Sequence, residues 1–237
     1  MNIINYAHRG ASEYAPENTL SSFYLGLMQG ANGIETDVQK TKDGVLVLFH
    51  DGTVDRVSDG QGKVCDFTLA QLKKLKIYGN NTCGFYDRIV TLEEFLEKFS
   101  SYDISFAVEL KDEGVEEETL AMIKRFGAFE KATFTSFKFD CIKKIKELDP
   151  SARVGYLIWE TCEAHLEQLL SIGGEEIAPK ASEITEESIA LCRNKGLGVR
   201  AWGVQSIELM KRMCALKVDG MTVNFPDRLF EYLVTIK

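Results

Sequence analysis

Short apolar runs alternate along the chain with stretches whose apolar residues recur three and four positions apart. The runs fall at residues 3–7, 33–38, 45–50, 105–110, 132–135, 153–158, 176–179, 197–202 and 220–223, and they predict strands. The amphipathic stretches at 18–29, 69–75, 92–99, 116–126, 139–148, 163–170, 186–194, 207–215 and 228–234 predict helices. Thr91 with Glu94 three residues on forms a capping box, and Gly30, Gly127 and Gly196 lie where helices should stop. Strands alternating with helices imply a mostly parallel sheet.

Nine strands are one too many for a closed eight-stranded barrel. The second and third are separated by a few residues that include Asp43-Gly44. A parallel crossover needs a dozen residues or more, whereas Asp-Gly signals a hairpin. If Asp43 and Gly44 form a two-residue turn, Asp37 lies directly opposite His50, with Glu35 on the same face.

The length of 237 residues suits one α/β domain, since a barrel of this kind needs about 250. A net charge of -8 argues against a nucleic-acid partner. No run reaches the ~18 apolar residues of a membrane span, so stable membrane insertion is not expected. The N-terminus, MNIINYAHRG, lacks the basic start and apolar run of a secretory signal, which points to a cytoplasmic protein. Cys65, Cys83, Cys141, Cys162, Cys192 and Cys214 are scattered, with no CxxC pair and no close histidine partner. They read as reduced, partly buried small hydrophobes rather than zinc ligands. Nothing in the pattern specifies an oligomeric state.

Candidate chemistry lies at the strand ends. Glu35 and Asp37, two apart in an extended strand, share one face, and a hard divalent cation relieves the repulsion between them. Glu109 and Lys111 share a face of another strand, and Glu109 is a candidate third oxygen ligand. His8, in Ala7-His8-Arg9-Gly10, and His50, in Phe49-His50-Asp51-Gly52, suit an acid/base pair. His165 reads as an exposed helix residue. Arg9 suits a phosphate, with pairing to a carboxylate such as Glu17 the competing reading. Nucleotide-binding and serine-hydrolase motifs are absent.

In this order and spacing, His8-Arg9-Gly10, Pro16-Glu17-Asn18-Thr19, Glu35-x-Asp37, Asp43-Gly44, His50-Asp51 and Glu109-x-Lys111 resemble the glycerophosphodiester phosphodiesterases. The likeness continues through Ser136-Phe137, Trp202 and Val218-Asp219-Gly220. The resemblance implies an irregular TIM (β/α)8 barrel with its site at the C-terminal ends of the strands. It implies one divalent cation, Mg2+ or Ca2+, on Glu35, Asp37 and Glu109, with His8 and His50 as acid and base. Arg9 and Lys111 would hold the phosphate, and an insertion at about 51–88 would help cover the glycerol end of a small-molecule glycerophosphodiester. Trp202, ending its strand, and Phe225, following the last one, are expected on the functional face, with an aromatic wall there to contact substrate.

The chain departs from the family pattern at Trp202-Gly203-Val204-Gln205, where Trp-Thr-Val-Asn is usual. It departs again at Thr222-Val223-Asn224-Phe225-Pro226, where Thr-Asp and a proline are common, and at Val90-Thr91, which lacks a usual proline. These changes bear on the substrate pocket more than on the chemistry. The expected reaction is hydrolysis to glycerol 3-phosphate and an alcohol. Its alternatives are a phospholipase-type reaction ending at a cyclic phosphate and a non-catalytic binding module.

Overall fold

The computed structural model describes residues 3–79 and 84–236, so Cys83 lies outside the described residues. The chain runs β1 (Ile4–His8), α1 (Leu20–Met28), β2 (Gly33–Lys40), β3 (Leu46–Leu48), α2 (Leu69–Leu72), β4 (Ile77–Tyr78), β5 (Tyr86–Asp87), β6 (Val90–Thr91) and α3 (Leu92–Phe99). It continues through β7 (Ser105–Leu110), α4 (Glu116–Arg125), β8 (Ala132–Ser136), α5 (Phe139–Leu148), β9 (Arg153–Ile158) and α6 (Glu163–Ser171). The last turn of the ring is β10 (Glu176–Pro179), α7 (Glu186–Asn194), β11 (Gly198–Val204), α8 (Ile207–Ala215), β12 (Gly220–Val223) and α9 (Pro226–Thr235).

Eight of these strands, β1, β2 and β7 to β12, pair in parallel and close on themselves through β1–β2 and β1–β12. With helices outside, this is a TIM barrel. The surplus strand is β3. Residues Gly33–Glu35 of β2 pair with β1, and beyond the end of β1 the same edge passes to β3, which runs antiparallel.

The β2–β3 register differs by one residue from the two-residue turn expected at Asp43-Gly44. Val38 faces Leu48, Gln39 faces Val47 and Lys40 faces Leu46. The Gly44 N–H donates to Thr41 O, the Thr41 N–H to Val45 O, and Gly44 has φ +82°. Three residues therefore make the loop, a turn closed by a left-handed glycine, and Phe49 rather than His50 bonds Asp37 across the pair. One slip reverses every side chain of a strand. His50 reaches the site because it follows β3, not because it opposes Asp37.

Alternation decides what faces where. Phe106, Val108 and Leu110 of β7 pack outward into the helix layer, while Glu109 points to the barrel interior. Helix α3 shows the complementary pattern, burying Leu92, Phe95, Leu96 and Phe99 at helical spacing. Phe95 stacks edge-on against Phe106 at 5.6 Å, and burying such a side chain stabilises the fold by roughly 1.5–3 kcal/mol. The expected capping box is present: Thr91 N–H donates to Glu94 Oε2 at 2.8 Å, and Glu94 N–H to Thr91 Oγ1 at 3.0 Å.

Helix α1 starts two residues later than its periodicity suggests. Asn18 has φ +55°, and its side chain is engaged elsewhere, so Thr19 is the N-cap. The segment between β3 and β6 carries α2 and the β4–β5 hairpin over its own small core of Val47, Phe49, Val54, Val57, Val64, Leu72, Ile77 and Ile89. Among the described residues no helix is long and apolar enough to cross a membrane.

Candidate active site

The C-terminal ends of the barrel strands bring together the residues that sequence singled out. β1 ends at His8, beside Glu35 of β2, and Asp37 of β2 lies beside Glu109 of β7. Neighbours in register point the same way, so three carboxylates converge. One oxygen from each of Glu35, Asp37 and Glu109 lies within 4.8 Å of the others, and all three residues are buried. Among the described residues this is the single cluster of three or more side chains suited to a metal.

Their environments differ. Burial, then Asp37 and Glu109, raises Glu35 well above the ordinary carboxylate range. Burial and Asp37 likewise raise Glu109. Burial also acts to raise Asp37, but the charges of Arg9 and Lys111 outweigh it and hold Asp37 low. Arg9 Nε lies 3.2 Å from Asp37 Oδ2, and Lys111 Nζ lies 2.7 Å from Glu109 Oε1 and 3.5 Å from Asp37 Oδ1. Arg9 also pairs with Glu17 at 3.0 Å, the contact that its competing reading expects. The Asn18 amide donates to Asp37 Oδ2 at 2.9 Å and accepts from Thr36 Oγ1 at 2.8 Å.

The chain turns sharply after His8. Arg9 adopts φ +56°, and its N–H donates to both Glu35 O and Glu35 Oε2. At Gly10, φ +83°, a Cβ would stand 2.4 Å from Ser22 of α1, so the residue must be glycine for helix and turn to meet.

Each candidate histidine is held by one ring nitrogen. His8 Nδ1 lies 2.6 Å from Asn224 Oδ1, and since an amide oxygen accepts, Nδ1 carries the proton. His50 Nδ1 lies 2.6 Å from Asp51 Oδ1 in the same way. Both keep Nε2 as the free ring nitrogen. Burial, reinforced by Arg9, pushes His8 down to about 3 despite its bond to Asn224, so at neutral pH it is an uncharged proton acceptor.

Beside the carboxylates opens a cavity of about 360 Å3. Its polar end includes His8, Arg9, Glu35, His50 and Glu109, and its far wall is Phe137, Trp159 and Trp202. These rings meet edge to face, Trp159–Trp202 at 4.9 Å and Phe137–Trp202 at 5.1 Å. Trp202 does not end its strand as expected. β11 continues to Val204 through an irregularity after Ala201, with Gly203 at φ +71°. Such a bulge re-aims a side chain, and the Trp202 indole N–H donates to Ile158 O at 2.9 Å. Phe225 is not on the wall; it is the N-cap residue of α9, and its ring is buried in the hydrophobic core.

Asn18 and Asn224 stood only in segments compared with the family pattern, with no role read from them, and Trp159 and Arg56, whose Nη2 donates to Glu17 Oε1 at 2.7 Å, carried no local signal. Arg200 did carry one, a charge inside an apolar strand. It is buried beneath the cavity, paired with Glu176 at 2.8 Å, with Nη2 unpartnered. His165 is half-buried on α6, and Cys162 does have a close histidine partner. Cys162 caps α6, which sets its sulfur 3.2 Å from His165 Nδ1 one turn on. Cys65 and Cys162 are exposed, whereas Cys141, Cys192 and Cys214 are buried.

A parallel barrel with acidic, basic and imidazole groups gathered at its C-terminal mouth defines an enzyme built to handle an anionic ester. The chain belongs to the Glycerophosphoryl diester phosphodiesterase family, which it matches over residues 8–228, and it is a glycerophosphodiester phosphodiesterase by activity. It is 34% identical over 237 residues to a glycerophosphodiester phosphodiesterase of Caldanaerobacter subterraneus subsp. tengcongensis, covering 97% of each chain. Among solved structures, an Oleispira antarctica phosphodiesterase in complex with the product sn-glycerol-3-phosphate superposes with a TM-score of 0.84. The two are 28% identical, covering 97% of this chain and 96% of that one. A putative glycerophosphodiester phosphodiesterase from Galdieria sulphuraria gives a TM-score of 0.85 at 27% identity, over 97% and 96% of the two chains.

Proposed function

We propose that the protein hydrolyses glycerophosphodiesters such as glycerophosphocholine or glycerophosphoethanolamine to glycerol 3-phosphate and an alcohol. One divalent cation, Mg2+ or Ca2+, would be held by Glu35, Asp37 and Glu109. The donor set fits a hard ion: it offers only oxygen, and Asp37 Oδ1 is buried without a hydrogen-bond partner. When bound, such a cation supplies Lewis acidity and offsets charge on a phosphoryl oxygen. The observation that carries the reading is one cavity lined by Glu35 and Glu109 of this cluster, two tethered histidines and an aromatic wall.

In this reading Arg9 and Lys111 hold the anionic phosphate and stabilise charge that builds on it. One histidine accepts a proton at Nε2 from the attacking water or glycerol 2-hydroxyl, and the other, acting as imidazolium with a proton on each ring nitrogen, donates from Nε2 to the leaving alkoxide oxygen. The chain 1–237 acts as one barrel domain with an insertion at about 51–88. A cytoplasmic location accords with the five free thiols among the described residues. Phosphorus NMR of glycerophosphocholine turnover tests the proposal. Glycerol 3-phosphate should appear with added Mg2+ or Ca2+ and not after exhaustive chelation. Turnover that survives verified removal of metal, or a cyclic phosphate as the final product, would overturn it.

The aromatic wall should read the substrate. Trp159 is 62% exposed, so Trp159→Ala should leave the melting temperature nearly unchanged. A cation–π contact with choline is worth about 0.5–2 kcal/mol, and its loss should raise KM for glycerophosphocholine by up to about 30-fold. Trp202→Ala should raise KM and also lower stability, because the ring is half-buried and hydrogen-bonded. Equal KM changes for glycerophosphocholine and glycerophosphoglycerol would assign the wall to the shared glycerol end.

A further inference from the structure

We propose that Arg56, from the segment between β3 and β6, is a positioning residue that holds His50 through Asp51. The inference rests on the reading of His50 as an acid/base group. Arg56 Nε donates to Asp51 Oδ2 at 2.6 Å and Nη2 to Asp51 Oδ1 at 3.1 Å. Its outer edge grips Glu17, with Nη1 at 2.9 Å from Oε2 and Nη2 at 2.7 Å from Oε1. A planar guanidinium thus fixes two carboxylates at once, one half-buried at the start of the segment and one buried in the barrel loop after β1.

Both carboxylates hold a group of the site. Asp51 Oδ1 takes the Nδ1 proton of His50 at 2.6 Å, which leaves Nε2 facing the cavity. Glu17 Oε1 takes Nη1 of Arg9 at 3.0 Å. The chain of contacts His50–Asp51–Arg56–Glu17–Arg9 therefore joins a proton-transfer candidate to a phosphate-binding candidate across two parts of the fold. His50 sits beyond β3, where Gln39 Nε2 holds the backbone through Phe49 O and Asp51 O at 2.7 Å each, and its ring is held through Asp51. Backbone contacts alone leave an imidazole free to sample ring orientations and both tautomers, whereas a carboxylate clamped by arginine permits one of each. Arg56 itself does not line the cavity, so its effect passes through Asp51.

The test compares full-length wild type, Arg56→Ala, Arg56→Lys and Asp51→Asn, with glycerophosphocholine as substrate. Arg56→Ala should lower kcat by about 10–100-fold, the range for losing a partner that orients a catalytic ligand. KM should change by less than about twofold, since Arg56 touches no substrate and Arg9 keeps its own contacts to Glu17 and Asp37. Added guanidinium ion should restore part of the kcat of Arg56→Ala and none of that of His50→Ala, while Arg56→Lys should recover little because lysine cannot bridge both carboxylates.

Nitrogen NMR of the three histidine rings gives a readout independent of turnover. In wild type His50 should show one tautomer, protonated at Nδ1; in Arg56→Ala and Asp51→Asn it should show tautomer averaging, with His8 unchanged. A wild-type kcat in Arg56→Ala, a loss confined to KM, or an unaltered His50 ring would each overturn the proposal. Failure of the wild type to turn over any glycerophosphodiester would overturn the substrate reading instead, and the ring spectra would still decide the role of Arg56.

Discussion

Glu35→Gln should give a metal-free protein that melts higher than wild type and hydrolyses almost nothing. Burial and the charges of Asp37 and Glu109 raise the folded-state pKa of Glu35 well above 4.5. An acid raised on folding binds more protons folded than unfolded at the pH values between, so stability falls as pH climbs from 4.5 through the raised value. Above that window the full penalty is present, and a neutral glutamine does not incur it. Asp37 works in the opposite sense: its lowered pKa contributes stability above 3.8 that is lost on acidification, and the substitution leaves that intact.

Glutamine keeps the shape, and its carbonyl still accepts from the Arg9 N–H that now bonds Glu35 Oε2 at 3.1 Å. The gain should be roughly 1–3 kcal/mol, the scale of an uncompensated buried polar group, or about 2–4 °C per kcal/mol at this chain length. Adding metal should reverse the order. A ligand at 100 times its Kd stabilises by about 2.7 kcal/mol, a gain the variant should largely forgo. Affinity and activity should fall by more than ~100-fold, the upper range for losing a group that only orients metal ligands. Calorimetry in chelator and in metal checks both halves. A metal-free variant no more stable than wild type, or one with normal metal affinity, would refute the clustered-charge account.

His8→Ala and His50→Ala should each cost about 10²–10⁴-fold in kcat while leaving a folded protein. Both side chains sit at the cavity rather than in the packed layer, and His50 is about one-third exposed. Loss of either should stall the same proton-transfer cycle, so the double variant should fall well short of the product of the single losses. His165→Ala should be silent in kcat, because that ring packs on Tyr156 on the outer helix layer, away from the cavity. Melting curves with single-turnover rates separate these cases. A His8 or His50 variant with wild-type kcat would remove that residue from the mechanism. A large loss at His165 would mean that the site lies elsewhere.

Much of this molecule is written locally in its chain. The strands of the barrel follow from short apolar runs, and α3, α5, α7 and α8 have the bounds their periodicity predicts. Thr91 caps α3 because a hydroxyl and a glutamate three residues apart satisfy each other without tertiary help. Glu35 and Asp37 share a face for an equally local reason, the two-residue repeat of a strand. The residue patterns suggested the carboxylates, the histidines and Arg9, the resemblance to a known family tied them with Lys111 into one site, and these residues lie at one mouth of the barrel.

What folding alone decided is what depends on register and on distance along the chain. Whether the Asp43-Gly44 turn holds two residues or three is a small difference in backbone energy, yet it decides which residue faces Asp37. Asn18 has helical surroundings but leaves the helix, because its side chain gains two hydrogen bonds in the site. Asn224 meets His8 across 216 residues, and Arg56 joins Glu17 to Asp51 from a segment with no barrel periodicity of its own. Trp159 becomes part of a wall only because a bulge in β11 turns Trp202 toward it. Periodicity reports which face of an element is buried; which other element it meets there is set by the closure of the barrel, and the partners of the site follow from that closure.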